Sequence, residues 1–201
     1  MATVKSRREM YAEATRAAII EAATTLFAEH GFAGTSLEDV AATAQVTRGA
    51  VYHHFAGKLA LFEAVFDEQE MHMTERITAT VAEHDDPWEG SLAAIDTFLE
   101  LCSEPMYSKL VWQEGPAALG LTGWKECEEK YAIGLVKASM TMLIDAGYIE
   151  PKAVDTTVKF VFQIFGAAGM ALADTPDEDK PRMRAECADV MRRMLTGLRA
   201  P

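Results

Sequence analysis

Apolar positions recur at helical spacing along almost the whole chain. Over 9–29, Ile19, Ala23, Leu26 and Phe27 fall at i, i+4, i+7 and i+8, one face of a helix, and Gly31 supplies a stop. Thr35-Ser36-Leu37-Glu38 has the form of a capping box. It heads a short helix whose inward positions are Leu37, Val40, Ala41 and Ala44. A turn at Gln45-Val46 leads to Thr47, which caps a third short helix ending near Phe55, with Val51 and Phe55 inward. A long fourth helix is predicted over 58–83. Asp86-Pro87-Trp88-Glu89 joins a cap, a proline at the first helical position and an early acid, and opens a helix over 87–103. A broken stretch with Pro105, Gly115, Pro116 and Gly120 follows. Further helices are predicted over 122–146, 151–173 and 182–198. No alternating apolar and polar run bounded by turn residues signals a strand. The chain reads as all-α, with about nine helices.

Composition narrows the picture. The chain has 201 residues, 49% hydrophobic and 25% charged, an ordinary globular balance. It is long enough to bury about 70% of its unfolded surface without a disulfide or metal staple. Cys102, Cys127 and Cys187 are odd in number and show no metal-ligand spacing, so neither metal nor cofactor is expected. The most apolar stretch, Phe160 to Leu172, is about 13 residues and too short to span a bilayer. The first eight residues carry positive charge with no apolar core behind it, unlike a secretory signal. A cytoplasmic protein without a membrane partner is the expectation.

The formal net charge of −12 argues at first against a nucleic-acid partner, because phosphate attracts Lys and Arg. Its distribution changes that. Residues 1–58 hold six basic and six acidic side chains, and residues 59–201 hold 13 basic and 25 acidic. All of the acidic excess lies in the second part. Two short helices joined by a tight turn and propped on a longer one are too small to form a core alone, and are the layout of a helix-turn-helix. The second of them, Thr47-Arg48-Gly49-Ala50-Val51-Tyr52-His53-His54-Phe55, leaves Thr47, Arg48, Tyr52 and His53 facing out once Val51 and Phe55 are buried. Taken alone, Tyr52 and the His pair also fit a half-buried aromatic face. Adjacent helical residues diverge by about 100°, which argues against a His53-His54 metal site.

Residues Arg16 to Phe66 resemble the DNA-binding domain of the TetR family of transcriptional regulators. The resemblance rests on Ala22-Ala23 with Leu26-Phe27, Gly31-Phe32, Thr35-Ser36, Val40-Ala41 and the run Thr47 to Phe55 followed by Lys58 and Leu61. It departs at Gly57, where the family commonly has Ser or Asn, so a looser cap on the fourth helix is expected. The resemblance implies phosphate contacts from Thr35 and Ser36. It implies phosphate or positioning contacts from Thr47, Tyr52, His54 and Lys58, and base-edge contacts from Arg48, Gly49, Ala50 and His53. An Arg can bond bidentately to guanine. Lys5, Arg7 and Arg8 form a candidate basic arm upstream of the first helix.

The resemblance implies a reader at 1–58 and a helical effector-binding and dimerisation domain at 59–201. There is no GxSxG, Walker loop, HExxH or Glu-x-x-His pair in the second part. The helix at 151–173 is apolar nearly all round, which implies burial on all sides. With the last helix it is the candidate homodimer interface, through Val158, Val161, Phe162, Phe165, Gly169, Val190, Met191, Met194 and Leu195. A two-fold dimer sets recognition helices about 34–36 Å apart on a palindrome. Candidate effector contacts are Phe98, Cys102, Met106, Leu110, Trp112, Trp124, Cys127, Tyr131, Leu135 and Phe165, a wall suited to a small, mostly apolar molecule. Glu100 and Glu114 are either ligand-orienting or solvated surface. The function implied is a ligand-responsive regulator, a repressor released from a double-stranded DNA operator by a small-molecule effector. A helical-bundle enzyme and a protein-binding adaptor are the alternatives. All five His lie at or before position 84 and none lies from Asp86 onward, which disfavours acid–base chemistry in that region.

Overall fold

A computed structural model describes residues 6–200. Among these the chain is helical throughout, with one isolated bridge between Ile149 and Arg199. Helix α1 (Arg7–Gly34) begins earlier than its apolar stripe. Ser6 accepts from the Glu9 N–H while Glu9 bonds back to the Ser6 N–H, a reciprocal cap. Arg7 and Arg8 are therefore the first turn of α1 and not an arm preceding it; Lys5 lies outside the described residues. Gly31, at φ 71° and ψ 170°, bends the chain before the last residues of α1; such a φ favours glycine.

Helices α2 (Leu37–Thr43) and α3 (Arg48–His54) are both capped by hydroxyls. The α2 cap corrects the expected box by one residue: Ser36 accepts from the Asp39 N–H, and Asp39 returns the bond. Thr35 is instead buried, its hydroxyl donating to the carbonyls of Leu26 and Gly31. Helix α4 (Lys58–Ala82) starts without a side-chain cap at Gly57, as the departure from the family pattern implies. It packs on α1 at one end and on α5 (Pro87–Ser103) and α7 (Gly115–Asp145) along the rest. Edge-to-face contacts from Phe62 to Phe27 and Phe32, at 5.2 and 5.4 Å, lock α4 to α1.

The stretch predicted to be broken is helical. Helix α6 (Pro105–Tyr107) runs into a π-helix, Ser108–Glu114, and then directly into α7. Pro105 sits in a first turn, where a missing N–H costs nothing, and Pro116 follows the π-helix directly at the start of α7. The interruption is a kink at Gly120, φ 71°. Helix α8 (Val154–Ala173) starts later than Pro151 because Ala153 takes a left-handed conformation. Helix α9 (Lys180–Thr196) closes the bundle against α5 and α8. With 20 residues and a most apolar window of mean hydropathy 1.4, α8 is longer than the run seen in sequence, and by length and composition alone it reaches a membrane-spanning size.

Candidate nucleic-acid interface and ligand cavity

The α2–α3 corner is held from beneath. Leu37, Val40, Ala41 and Val51 are buried, and Gln45 at φ 56° makes the turn between the helices. The Thr47 hydroxyl accepts from the Ala50 N–H at 3.1 Å. On the outer side, Arg48 lies over the Tyr52 ring at 5.4 Å and pairs with Glu38 of α2 at 2.8 Å. The Tyr52 hydroxyl and Glu38 raise the already high pKa of Arg48. Tyr52 and His53 are exposed. His54 is half-buried, and that burial lowers its pKa, with help from His53 and Arg16. A Cβ built on Gly49 would meet only the Thr47 hydroxyl, 3.8 Å away. The fold itself does not need glycine there.

Two expected phosphate contacts are engaged inside the protein. Thr35 is only 2% exposed and its hydroxyl is committed to backbone carbonyls. The Lys58 ammonium donates to the carbonyls of Phe32, Ala33 and Thr35, at 2.8, 3.4 and 3.0 Å, and lies over the Phe32 ring. It clamps the end of α1 to the start of α4. Ser36, Thr47, Arg48, Gly49, Ala50, Tyr52, His53 and His54 remain on or near the outer face of the corner.

A cavity of about 750 Å³ lies in the helical body, walled by α4, α5, α7, α8 and α9 together with Tyr107 and Trp112. Of the expected contacts, Phe98, Trp112, Leu135 and Phe165 line it. The others do not. Cys102, Leu110 and Trp124 are buried behind the wall. Met106 is on the surface at 46% exposure. Cys127 and Tyr131 lie on the side of α7 that faces Asp67 of α4. Glu114 is not ligand-orienting, since it accepts from the Phe32 N–H at 2.7 Å and pairs with Lys109 at 3.0 Å. Glu100 is exposed and off the cavity wall.

The cavity also holds two carboxyls that the apolar pattern conceals. Glu70 is 1% exposed and accepts from the Tyr107 hydroxyl at 2.8 Å through Oε1, while Oε2 finds no partner. Burial, and then nearby Asp67, push its pKa up to about 7 against the bond from Tyr107. Burial and the neighbouring Glu70 push Glu128 up to about 9. Both were legible in principle. Phe66, Glu70, Met73 and Ile77 share one stripe of α4, and Trp124, Glu128 and Leu135 share one of α7, so each Glu stands at a core position.

Comparison with known proteins now bears on the whole architecture. Residues 19–65 match the family model described as "Bacterial regulatory proteins, tetR family", and residues 88–198, more than half of the chain, match "Tetracyclin repressor-like, C-terminal domain". The chain belongs to the TetR family. Among curated relatives, it is 26% identical to the Transposon Tn10 TetC protein of Escherichia coli, over 77% of each chain. It is 44% identical to the transcriptional regulator TtgR of Pseudomonas putida over 80 residues, 40% of this chain and 37% of that one. A TetR-family transcriptional regulator from Pectobacterium atrosepticum superposes with a TM-score of 0.84 at 27% identity, covering 98% of this chain and 99% of that one. Family membership makes the chain a DNA-binding transcriptional regulator, with α2 and α3 as its helix-turn-helix.

Within this TetR-family fold, several expected dimer residues are interior. Val158, Phe162, Met191 and Leu195 are less than 10% exposed within the single chain. Gly169 accommodates an indole and not a second subunit: a Cβ there would lie 2.3 Å from Trp112 Cζ2. Val161, Phe162, Phe165, Met191, Met194 and Leu195 all contribute to the cavity wall. The exposed large apolar side chains of α8 and α9 are Phe160, Met170, Val190 and Met194, of which Phe160 and Met194 also border the cavity.

Proposed function

We propose that this protein is a homodimeric repressor that leaves a palindromic operator when a small, mostly apolar effector enters the cavity. The division at 1–58 and 59–201 separates reading from sensing, and the reading implies a cytoplasmic, non-enzymatic protein. The observation that carries it is one seven-residue segment serving both parts. In the π-helix Ser108–Glu114, Trp112 stands in the cavity wall, while two residues later Glu114 holds the Phe32 N–H at the end of α1. A ligand pressing on Trp112 shifts the group that anchors the reader. π-helical turns are frequent at functional sites. Release then follows if the ligand favours the arrangement that DNA disfavours.

On the outer face, Arg48 is the base reader, positioned by Tyr52 and held by Glu38 until DNA displaces the carboxylate. Gly49 gives the backbone close access to the bases, and Ser36, Thr47 and His54 meet phosphate. The exposed Phe160, Met170, Val190 and Met194 supply the apolar surface of the dimer. The test is a mobility-shift assay with the upstream DNA of the gene. Arg48→Ala with Tyr52→Ala is expected to abolish the specific shift, each lost bidentate base contact costing about 1–3 kcal/mol. Undiminished binding by the double variant sinks the reading.

A further inference from the structure

Four residues that can carry charge line the cavity: Glu70, His84, Asp85 and Glu128. No Lys or Arg is among the lining residues. Glu128 is 6% exposed and makes no hydrogen bond or ion pair among the described residues. Glu70 stands behind it, with Tyr107 bonded to one carboxyl oxygen and nothing on the other. A buried carboxyl without a partner is costly in a low-dielectric site, and two close together are costlier, which is why burial and proximity keep both protonated well above the usual range. Around them stand aromatic faces: Phe98 meets Phe165 at 4.9 Å and Trp112 at 6.3 Å, both edge to face. Such rings attract a cation through their faces.

We infer that the effector is a hydrophobic organic cation, its positive centre set against Glu128 with Glu70 behind it and its apolar body against Phe98, Trp112 and Phe165. An anionic effector finds no Lys or Arg on this wall and meets Glu128 and Glu70 at its depth. A neutral apolar molecule gives neither acid a partner. The inference rests on the reading of this cavity as the effector site.

Three probes that share a 1-naphthylmethyl group separate these cases: (1-naphthylmethyl)trimethylammonium, 1-naphthylmethanol and the 1-naphthylacetate anion. Titration calorimetry on the full-length protein without DNA is expected to show the ammonium binding about tenfold or more tighter than the alcohol, and the carboxylate weakest. Glu128→Gln, and Glu70→Gln with Glu128→Gln, keep side-chain volume and remove the charge. Each is expected to erase the preference for the cation and leave binding of the alcohol unchanged, with thermal melts verifying the fold. Equal or tighter binding of the alcohol or carboxylate overturns the inference. So does a cation preference that survives both variants, or binding of none of the three. A protein that fails these titrations yet shifts its operator loses this inference alone. One that prefers the cation yet binds no DNA loses the regulator reading alone.

Discussion

The α1–α3 reader and the helical body handle buried polar groups in opposite ways. In the reader, Thr35 is buried and bonded twice, and Lys58 closes three carbonyls at the end of α1. In the body, Glu70 Oε2, Ser108 Oγ and the indole nitrogens of Trp112 and Trp124 are buried without partners. Native interiors rarely leave such groups unpaired. Glu70 and Trp112 line the cavity, and no such group lies in the reader among the described residues, which separates a rigid part from a part whose polar interior is unfinished. A surface that must meet DNA in one geometry gains from the first. A site that must respond to a ligand gains from the second, because its interactions improve when the ligand arrives.

The contrast breaks most directly at Lys58. Lys58→Met is expected to cost about 1.5–3 kcal/mol, since charge-assisted bonds to carbonyls are lost, and to lower the melting temperature by about 2–4 °C per kcal/mol in a chain of this size. A melt unchanged by the substitution would mean that the clamp is incidental. The shape of the body, in contrast to its polarity, is closely fitted. Gly169→Ala forces a methyl against Trp112, and overpacking of this kind costs about 1–3 kcal/mol; a chemical-denaturation midpoint equal to wild type would count against that packing.

Another effect follows from the acid pair. Both carboxyls have an ordinary value of 4.5, pushed up in the folded chain to about 7 for Glu70 and about 9 for Glu128. Between the ordinary and folded values the native state holds protons that the unfolded chain releases. This contribution to stability is fully present below about pH 4.5 and is lost as pH rises through the folded values. Melts recorded from about pH 5 to about pH 9 are expected to fall more steeply for wild type than for the double Gln variant. Parallel curves would remove the acid pair from the account. The smallest effect belongs to Ser108→Ala. Removing a buried hydroxyl without a partner is expected to change stability by less than about 0.5 kcal/mol, or to raise it. A loss comparable to Lys58→Met would erase the distinction between the two parts.

The reader was largely legible in sequence because local signals decide it. Thr47 caps, Gln45 turns, and Val51 and Phe55 point inward whatever the rest of the chain does, though the α2 cap falls on Ser36 and not on Thr35. What sequence missed there was tertiary: the withdrawal of Thr35 into the core and the three carbonyls taken by Lys58. The cavity was read less well for the same reason. Phe98, Trp112, Leu135 and Phe165 line it, but the π-helix and the Gly120 kink reset the register of every residue that follows them. The burial of Glu70 and Glu128 is set by which helix faces meet, a tertiary fact. Several residues expected to face a partner are interior because α8 turns that side to the cavity.

The π-helix has a consequence for how such a chain can change. Wider turns advance each residue by a smaller angle than α-turns do, so seven residues in this form fix the angular offset between Trp112 and Glu114. Deleting one residue would restore ordinary winding and move one of the two off its target, the cavity wall or the Phe32 amide. Insertions and deletions in 108–114 are therefore penalised even where every substitution is tolerated. Lineages of this protein are free to re-tailor the chemistry of the cavity side chain by side chain, but not the length of the segment that carries Trp112 and Glu114.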